Sequence, residues 1–344
     1  MSVAEEAAPL GDKLSEHELC PDDLLAGQEA AFARDIARLH KRASEFVTVT
    51  CPACGKINQN KAFDKFGFSF QRCGQCATIY MSPRPSPAVL ADFYANSENY
   101  DYWAKYIFPA SEATRREKIH RPWLERVIGL CDRHEIRRSV LAEVGAGFGT
   151  FAALATQSAA FERVVAIEPT PEMAAACRSR GVEVLEKRIE DVGDELGSAN
   201  VIVSFEVIEH LFDPRIFLKQ CARLLNSGGL LVLSCPNGCG FDIAMLGAKS
   251  LAVDAEHLNL FNPEALSHLL EACGFEVLDA TTPGRLDAEF VREAALKGEI
   301  DLSHDPFLKR TLIDEWGRLG WPFQQFLAEN GLSSHMWLAA RRKT

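Results

Sequence analysis

Apolar residues recur along this chain in two rhythms. Between residues 22 and 46 they fall at Leu25, Phe32, Ile36 and Leu39, a spacing that lines one face of a helix, with Asp22 and Asp23 placed to cap its start. From about residue 139 onward short apolar runs take over. They lie at 139–144, 163–168, 182–185, 199–205, 229–235, 275–281 and 334–341, with helical periodicity between them. Strands alternating with helices imply a mostly parallel sheet, because parallel neighbours need a crossover. The pattern predicts an α/β fold with a doubly wound, seven-stranded, mostly parallel sheet. A helix over about Ser111–Asp132 leads into it, and residues 284–333, rich in Leu, Phe and Trp, read as a helical insertion before the last strand.

The first third of the chain follows neither rhythm for long. Residues 1–20 read as disordered, so 1–46 forms a tail and helix. Residues 47–82 carry Cys51-Pro-Ala-Cys54 and Cys73-Gly-Gln-Cys76, two C-x-x-C pairs separated by eighteen residues. Each pair can bend to bring both thiolates to one ion, and two pairs complete the Cys₄ shell of structural zinc. Phe63, Phe66, Phe68 and Phe70 partly alternate between the pairs, which predicts the strands of a small zinc ribbon. Residues 83–114 begin with the stiff Pro83-Arg84-Pro85-Ser86-Pro87 and continue through Phe93, Tyr94, Tyr100, Tyr102, Trp103, Tyr106 and Phe108. This segment reads either as core between domains or as an aromatic lid. The main domain runs over 115–344.

Composition narrows the setting. A net charge of −11 argues against general nucleic-acid affinity, although Arg38, Lys41, Arg42, Lys56, Lys61, Lys65, Arg72 and Arg84 make the ribbon region locally basic. No run reaches the ~18 apolar residues of a membrane span. The start, Met1-Ser-Val-Ala-Glu-Glu, lacks a signal-peptide pattern. Eleven cysteines are an odd number in a large chain without that pattern, so reduced thiols in the cytoplasm are expected. Cys20, Cys131, Cys177, Cys221, Cys235, Cys239 and Cys273 read as core.

The candidate ligand site begins at Leu141-Ala-Glu143-Val-Gly145-Ala146-Gly147-Phe-Gly149-Thr150. A buried strand ends at an acid and enters a loop with glycine at alternate positions, which lets backbone approach a ligand closely. Nineteen residues after Gly149, Glu168 ends the next strand, where a Rossmann-like site holds ribose hydroxyls. The spacing is G-x-G-x-G and not the dinucleotide G-x-G-x-x-G. The anion at Glu143 suits a ligand bearing an ammonium better than a pyrophosphate.

These residues resemble motif I of the class I S-adenosylmethionine methyltransferases. The resemblance runs through Asn200-Val-Ile-Val-Ser-Phe205, Glu206-Val-Ile-Glu-His-Leu-Phe-Asp-Pro214 and Leu224-Leu-Asn-Ser-Gly-Gly-Leu-Leu-Val-Leu-Ser-Cys-Pro-Asn237, and covers about residues 115–340. It implies that Glu143, Gly145, Ala146, Gly147 and Gly149 surround the cofactor's methionine portion. Glu168, with Pro169, would hold the ribose; Ile189 and Glu190 would flank adenine; Phe205 and Glu206 would complete the floor.

Methyl transfer from a sulfonium needs the acceptor positioned and its proton removed. Glu206, Glu209 and His210 stand at i, i+3 and i+4, so one helical turn would put them on one face, and His257 follows the fifth strand. Two carboxylates and two imidazoles make a mixed N/O site for a second divalent metal. The pattern is similar to that of metal-dependent small-RNA 2′-O-methyltransferases, and its Glu-x-x-Glu-His part to that of ubiquinone-pathway O-methyltransferases. By that resemblance Glu206, Glu209, His210 and His257 would chelate an ion that grips the acceptor oxygen. The other reading leaves His257 as a lone general base. The expected function is O-methylation of a small hydroxylated acceptor such as a sugar or nucleotide-sugar. An RNA methyltransferase gripping its substrate with the ribbon, and a deoxysugar C-methyltransferase, are the alternatives.

Overall fold

The computed structural model describes residues 14–57 and 59–344, so most of the tail expected to be disordered lies outside the described residues. Within them Glu16–Leu19 forms a short helical turn, and the next helix spans Asp22–Lys41 before a 3₁₀ turn at Ala43–Glu45.

Thirteen strands follow: β1 Phe46–Val47, β2 Gln59–Lys65, β3 Phe68–Cys73, β4 Ile79–Met81, β5 Arg84–Pro85, β6 Val140–Val144, β7 Arg163–Ile167, β8 Glu183–Leu185, β9 Ala199–Phe205, β10 Leu225–Pro236, β11 Asn259–Leu260, β12 Phe275–Thr281 and β13 His335–Arg342. Seven of them form one sheet in the order β12-β13-β10-β9-β6-β7-β8. Pairs from β10 to β8 are parallel, while β13 runs antiparallel to both β10 and β12. This is the doubly wound, mostly parallel sheet that the alternating pattern predicts. Every residue of β9 but one is buried, as expected for a central strand covered on both faces. The helix Thr150–Ser158 packs with one core cluster, and helices Pro214–Leu224 and Pro263–Ala272 pack with the cluster on the other side.

The ribbon is not self-contained. Its sheet has the order β11-β4-β3-β2, so a strand from residues 259–260 completes it, with Asn259 opposite Tyr80 and Leu260 opposite Ile79. Phe68 and Phe70 are buried in a core shared with Leu90, Phe93, Val253, Leu258 and Leu260. Phe66 departs from the expected alternation: it sits in the hairpin turn at φ +53° and is exposed. Two further expectations need correction. Cys239 is exposed, because it lies in the turn after β10, whereas the other six cysteines read as core are buried. The helix expected from Ser111 belongs to continuous helical structure from Glu98 to Arg133, interrupted by π turns at Trp103–Ile107 and Arg116–His120.

The rings of the aromatic connector divide between two environments. Phe93 is core, with Tyr94 and Tyr100 packed against it, whereas Phe108 stacks on Phe148 of the glycine loop at 4.0 Å. Residues 284–333 are largely helical, over Asp287–Leu296, Pro306–Lys309, Arg310–Asp314 and Trp316–Glu329.

Phe70 has no exposed surface and meets Phe63 at 5.4 Å in the shared core. Phe70→Ala should therefore cost about 3–5 kcal/mol, read as a lower urea midpoint at unchanged slope.

Candidate functional site

The carboxyl end of the parallel strands gathers the candidate residues. After β6, Gly145, Gly147 and Gly149 take φ +72°, +53° and +73°. A Cβ on Gly145 would meet Val207 Cγ2 at 2.5 Å and one on Gly149 would meet Cys177 Sγ at 2.6 Å, so both are held to glycine by packing as well as by φ. Gly147 differs: nothing lies within 4 Å of its missing side chain, which leaves open space above the loop.

Two buried carboxylates flank that space. Glu143 accepts a hydrogen bond from Ala152 N at 2.9 Å, in the first turn of the helix that the loop enters. Burial pushes its carboxyl up to about 8, against that hydrogen bond and with help from Glu168. Glu168 accepts from Gly147 N and Thr170 N, each at 2.9 Å, and burial raises it as well. The left-handed loop thus leaves open space beside Gly147, next to the two buried acids Glu143 and Glu168. Of the remaining candidates, Ile189 and Phe205 are buried, Ala146 is half-buried, and Pro169 and Glu190 are exposed.

A second group of candidate residues is more sharply organised. Glu209, His210 and His257 bring one ligand atom each within 4.8 Å of one another. His210 Nδ1 is tied to Glu256 O at 3.2 Å and His257 Nδ1 to Ala252 O at 2.8 Å. Such backbone anchors fix ring orientation and leave both Nε2 atoms to face a ligand. The rings meet edge to face at 4.7 Å. Burial, with His257 alongside, pulls His210 down to about 4 and so keeps it neutral. For His257 burial opposes the charge, but Asp254 and the backbone carbonyl outweigh it and raise the imidazole.

Glu209 is the most demanding member. It has no exposed surface, and neither carboxylate oxygen has a hydrogen-bond partner among the described residues. Burial, reinforced by Glu206, raises its carboxyl well above the ordinary range. A buried carboxylate with two orphaned oxygens needs a proton or a cation. Beside two oriented imidazoles, the donor set fits a divalent metal.

Glu206 does not join this set. The sequence places it one helical turn from Glu209, but Ile208–His210 is a 3₁₀ turn and Glu206 itself takes φ +54°, which swings its side chain away. Its carboxylate instead accepts from Ser234 Oγ at 2.6 Å and pairs with His335 Nε2 at 2.9 Å.

The four ribbon cysteines also converge within 4.8 Å, with Cys51 and Cys76 sulfurs 3.5 Å apart and Cys54 and Cys73 sulfurs 3.6 Å apart. Backbone N–H groups of Ala53 and Cys54 point at the Cys51 sulfur, and those of Gln75 and Cys76 at the Cys73 sulfur. Gly55 and Ala77 close matching turns onto the carbonyls of Cys51 and Cys73. This doubled geometry fits zinc, whose tetrahedral shell at Zn–S of about 2.3 Å sets its sulfurs a little under 4 Å apart.

Arg84 escaped the sequence reading except as a basic residue in a connector. It is wholly buried, and its guanidinium donates to Met81 O at 3.0 Å, Phe212 O at 3.3 Å and Leu258 O at 3.2 Å. Those carbonyls belong to the ribbon, the segment after Glu209-His210, and the residue after His257. Burial pulls it down to about 10, so it stays charged at neutral pH. Asn259 adds to the same junction by donating to Leu211 O at 2.7 Å, and Asn262 by donating to Cys76 O at 2.7 Å. The only sequence signal was an arginine between two prolines.

A methyltransferase-domain family matches residues 114–280. A "Probable S-adenosylmethionine-dependent methyltransferase" of Mycobacterium tuberculosis (strain ATCC 25618 / H37Rv) is 30% identical over 158 residues, 45% of this chain and 54% of that one. A ubiquinone biosynthesis O-methyltransferase of Xanthomonas oryzae pv. oryzae is 31% identical over 129 residues, 35% of this chain and 53% of that one. The chain thus spans about half the length of these curated relatives. Among solved structures, phosphoethanolamine N-methyltransferase 2 of Haemonchus contortus aligns over 77% of this chain and 63% of its own, at TM-score 0.48 and 16% identity.

Two outcomes follow from the geometry. Arg84→Ala strands three carbonyls and should cost about 3–5 kcal/mol. Amide exchange should accelerate at Leu258–Leu260 and in β4 while β6 and β7 keep their protection. For Glu143 the folded carboxyl, at about 8, lies above its ordinary 4.5. The folded state then binds the extra proton, so this contribution to stability is fully present below 4.5 and is lost as pH rises through about 8. Glu143→Gln should flatten thermal stability against pH across that window; an unchanged slope would show that the carboxyl is not so perturbed.

Proposed function

This chain carries a class I S-adenosylmethionine-dependent methyltransferase domain, and from that premise we propose that it methylates a hydroxyl of a small biosynthetic acceptor, such as a sugar or nucleotide-sugar. The carrying observation is the trio of Glu209, His210 and His257, with its orphaned carboxylate and two backbone-anchored imidazoles. An already activated sulfonium methyl needs little help at a soft nucleophile. A hydroxyl holds its proton tightly, and a site that lowers that hold is what distinguishes an O-methyltransferase. Glu209, His210 and His257 would hold a divalent cation, which when bound supplies Lewis acidity to an acceptor oxygen. The relative named as a ubiquinone biosynthesis O-methyltransferase supports the same chemistry.

On the cofactor side, Glu143, Gly145, Ala146, Gly147 and Gly149 would cradle the methionine portion, with Phe205 beneath. Glu168 and Pro169 would take the ribose, and Ile189 with Glu190 the adenine edge. To receive the ribose, Glu168 would keep the Gly147 and Thr170 hydrogen bonds on one side and offer its remaining lone pairs. The aromatic stack of Phe108 on Phe148 would shield this half of the cleft from water.

The ribbon region favours a small acceptor over RNA. Lys61 pairs with Asp64 at 2.5 Å, Lys65 donates to Ser250 O, Arg42 pairs with Glu45 and Asp92, Arg38 pairs with Asp35, and Arg84 is buried. These five charges are partnered or buried within the fold, whereas Lys41, Lys56 and Arg72 are exposed, so the local basic character that could meet phosphates rests on few side chains. None of the eleven cysteines is in a disulfide, and among the described residues no helix is long and apolar enough to cross a membrane; a cytoplasmic setting is part of the proposal.

Elemental analysis of the purified protein tests the reading. Wild type should contain zinc for the cysteines plus a second divalent ion, and His257→Ala should lose only the second. A single zinc per chain in both proteins would remove the metal from the proposal. Calorimetric titration with S-adenosylmethionine should give saturable heat that Glu168→Ala weakens by about tenfold or more.

A further inference from the structure

Glu206 and His335 form a second polar centre on the rim of the same cleft. β13 runs antiparallel to β10 with His335 opposite Pro236, so the start of β13 lies at the end where the parallel strands finish. Glu206 follows β9 directly and its N–H donates to Ser234 O at 3.0 Å. The carboxylate then receives Ser234 Oγ and His335 Nε2 on the same oxygen, Oε1. Val207, the next residue, packs against Gly145, which sets this turn beside the glycine loop. Trp123 fixes the histidine ring by lying parallel to it, at 6.1 Å and 7°, while also packing on Phe205 at 4.6 Å.

Three features exceed what an ordinary rim ion pair requires. Glu206 holds a left-handed φ of +54° that a non-glycine residue adopts only under constraint. The pair remains open to solvent, with 28% of the His335 side chain and 42% of the Glu206 side chain exposed. And Nδ1 of His335 has no hydrogen-bond partner among the described residues. An exposed ion pair contributes little stability, so stability does not account for the strain. A carboxylate on one imidazole nitrogen and a free lone pair on the other is the arrangement of a carboxylate-oriented general base.

We propose that His335, oriented by Glu206, accepts the hydroxyl proton of the acceptor during methyl transfer. This rests on the reading of the cleft as a cofactor site and of His257 as a ligand, which leaves the proton without another acceptor. The acceptor oxygen forms a bond to the methyl carbon as the carbon–sulfur bond breaks, its electron pair passing to sulfur. S-Adenosylhomocysteine leaves neutral. The hydroxyl proton passes to His335 Nδ1, the imidazolium is held by the Glu206 carboxylate, and the proton returns to solvent. His335 is the catalytic residue of the pair; Glu206 and Trp123 position it.

The test compares two cofactor analogues by calorimetry. Sinefungin carries an amine where the transferable methyl sits, and S-adenosylhomocysteine carries nothing there. If the dyad faces that point, wild type should bind sinefungin about 10- to 100-fold more tightly, and Glu206→Gln should abolish the preference. A preference that survives in both Glu206→Gln and His335→Gln overturns the proposal. Failure of wild type to bind S-adenosylmethionine at all would instead sink the cofactor reading beneath it. With catechol as acceptor probe, His335→Ala should lower kcat by about 10²- to 10⁴-fold at little changed KM, and added imidazole should restore turnover. Retained turnover, or a loss that imidazole leaves untouched, counts against a base. Should wild type not methylate catechol, the analogue comparison alone decides.

Discussion

The placement of His210 and His257 depends on one buried cation. Arg84 is surrounded by carbonyl oxygens rather than by a carboxylate, and the three it contacts belong to segments far apart in sequence. A guanidinium taken out of water must have its donors satisfied, so the segments after Glu209-His210 and after His257 are held where their carbonyls can reach it. The pairing of β4 with β11 pins the second of these segments again. Geometry at the histidines is therefore set from below by the ribbon. In this view the ribbon is a brace built into the fold, which explains why its sheet is completed by residues almost two hundred positions downstream.

The glycine loop is organised on a different principle. Its glycines and carboxylates come from adjacent strands, and the connections between them are short. Its two acids, Glu143 and Glu168, are buried and their carboxyls are raised by desolvation, as is that of Glu209 beside the two histidines. A fold optimised for stability alone would replace them with apolar residues of similar volume. Their concentration at one end of one sheet is what the proposed cofactor and metal sites rest on.

Periodicity made the main sheet legible, because parallel strands buried on both faces must be apolar along their length. The boundaries of β6, β7, β9, β12 and β13 lie within one residue of the apolar runs. The cysteine quartet was legible for a related reason, since ligand spacing is a local property. Misreadings came where backbone conformation was decided by distant contacts. Glu206 was read on a helical turn with Glu209, yet a 3₁₀ turn and a left-handed residue separate them. Phe66 was read as a strand position and sits in a turn, and Cys239 was read as core and is exposed.

By itself the sequence determined the α/β sheet, the glycine loop with its two acids, and the two cysteine pairs, because each depends on residues near one another along the chain. Only the tertiary structure decided which acids and histidines face each other. It joined His210 to His257 across 47 residues while turning Glu206 toward His335. It also converted Arg84 from a connector residue into a junction. Burial and hydrogen-bond satisfaction act between segments brought together by folding, and no local pattern encodes which segments those will be.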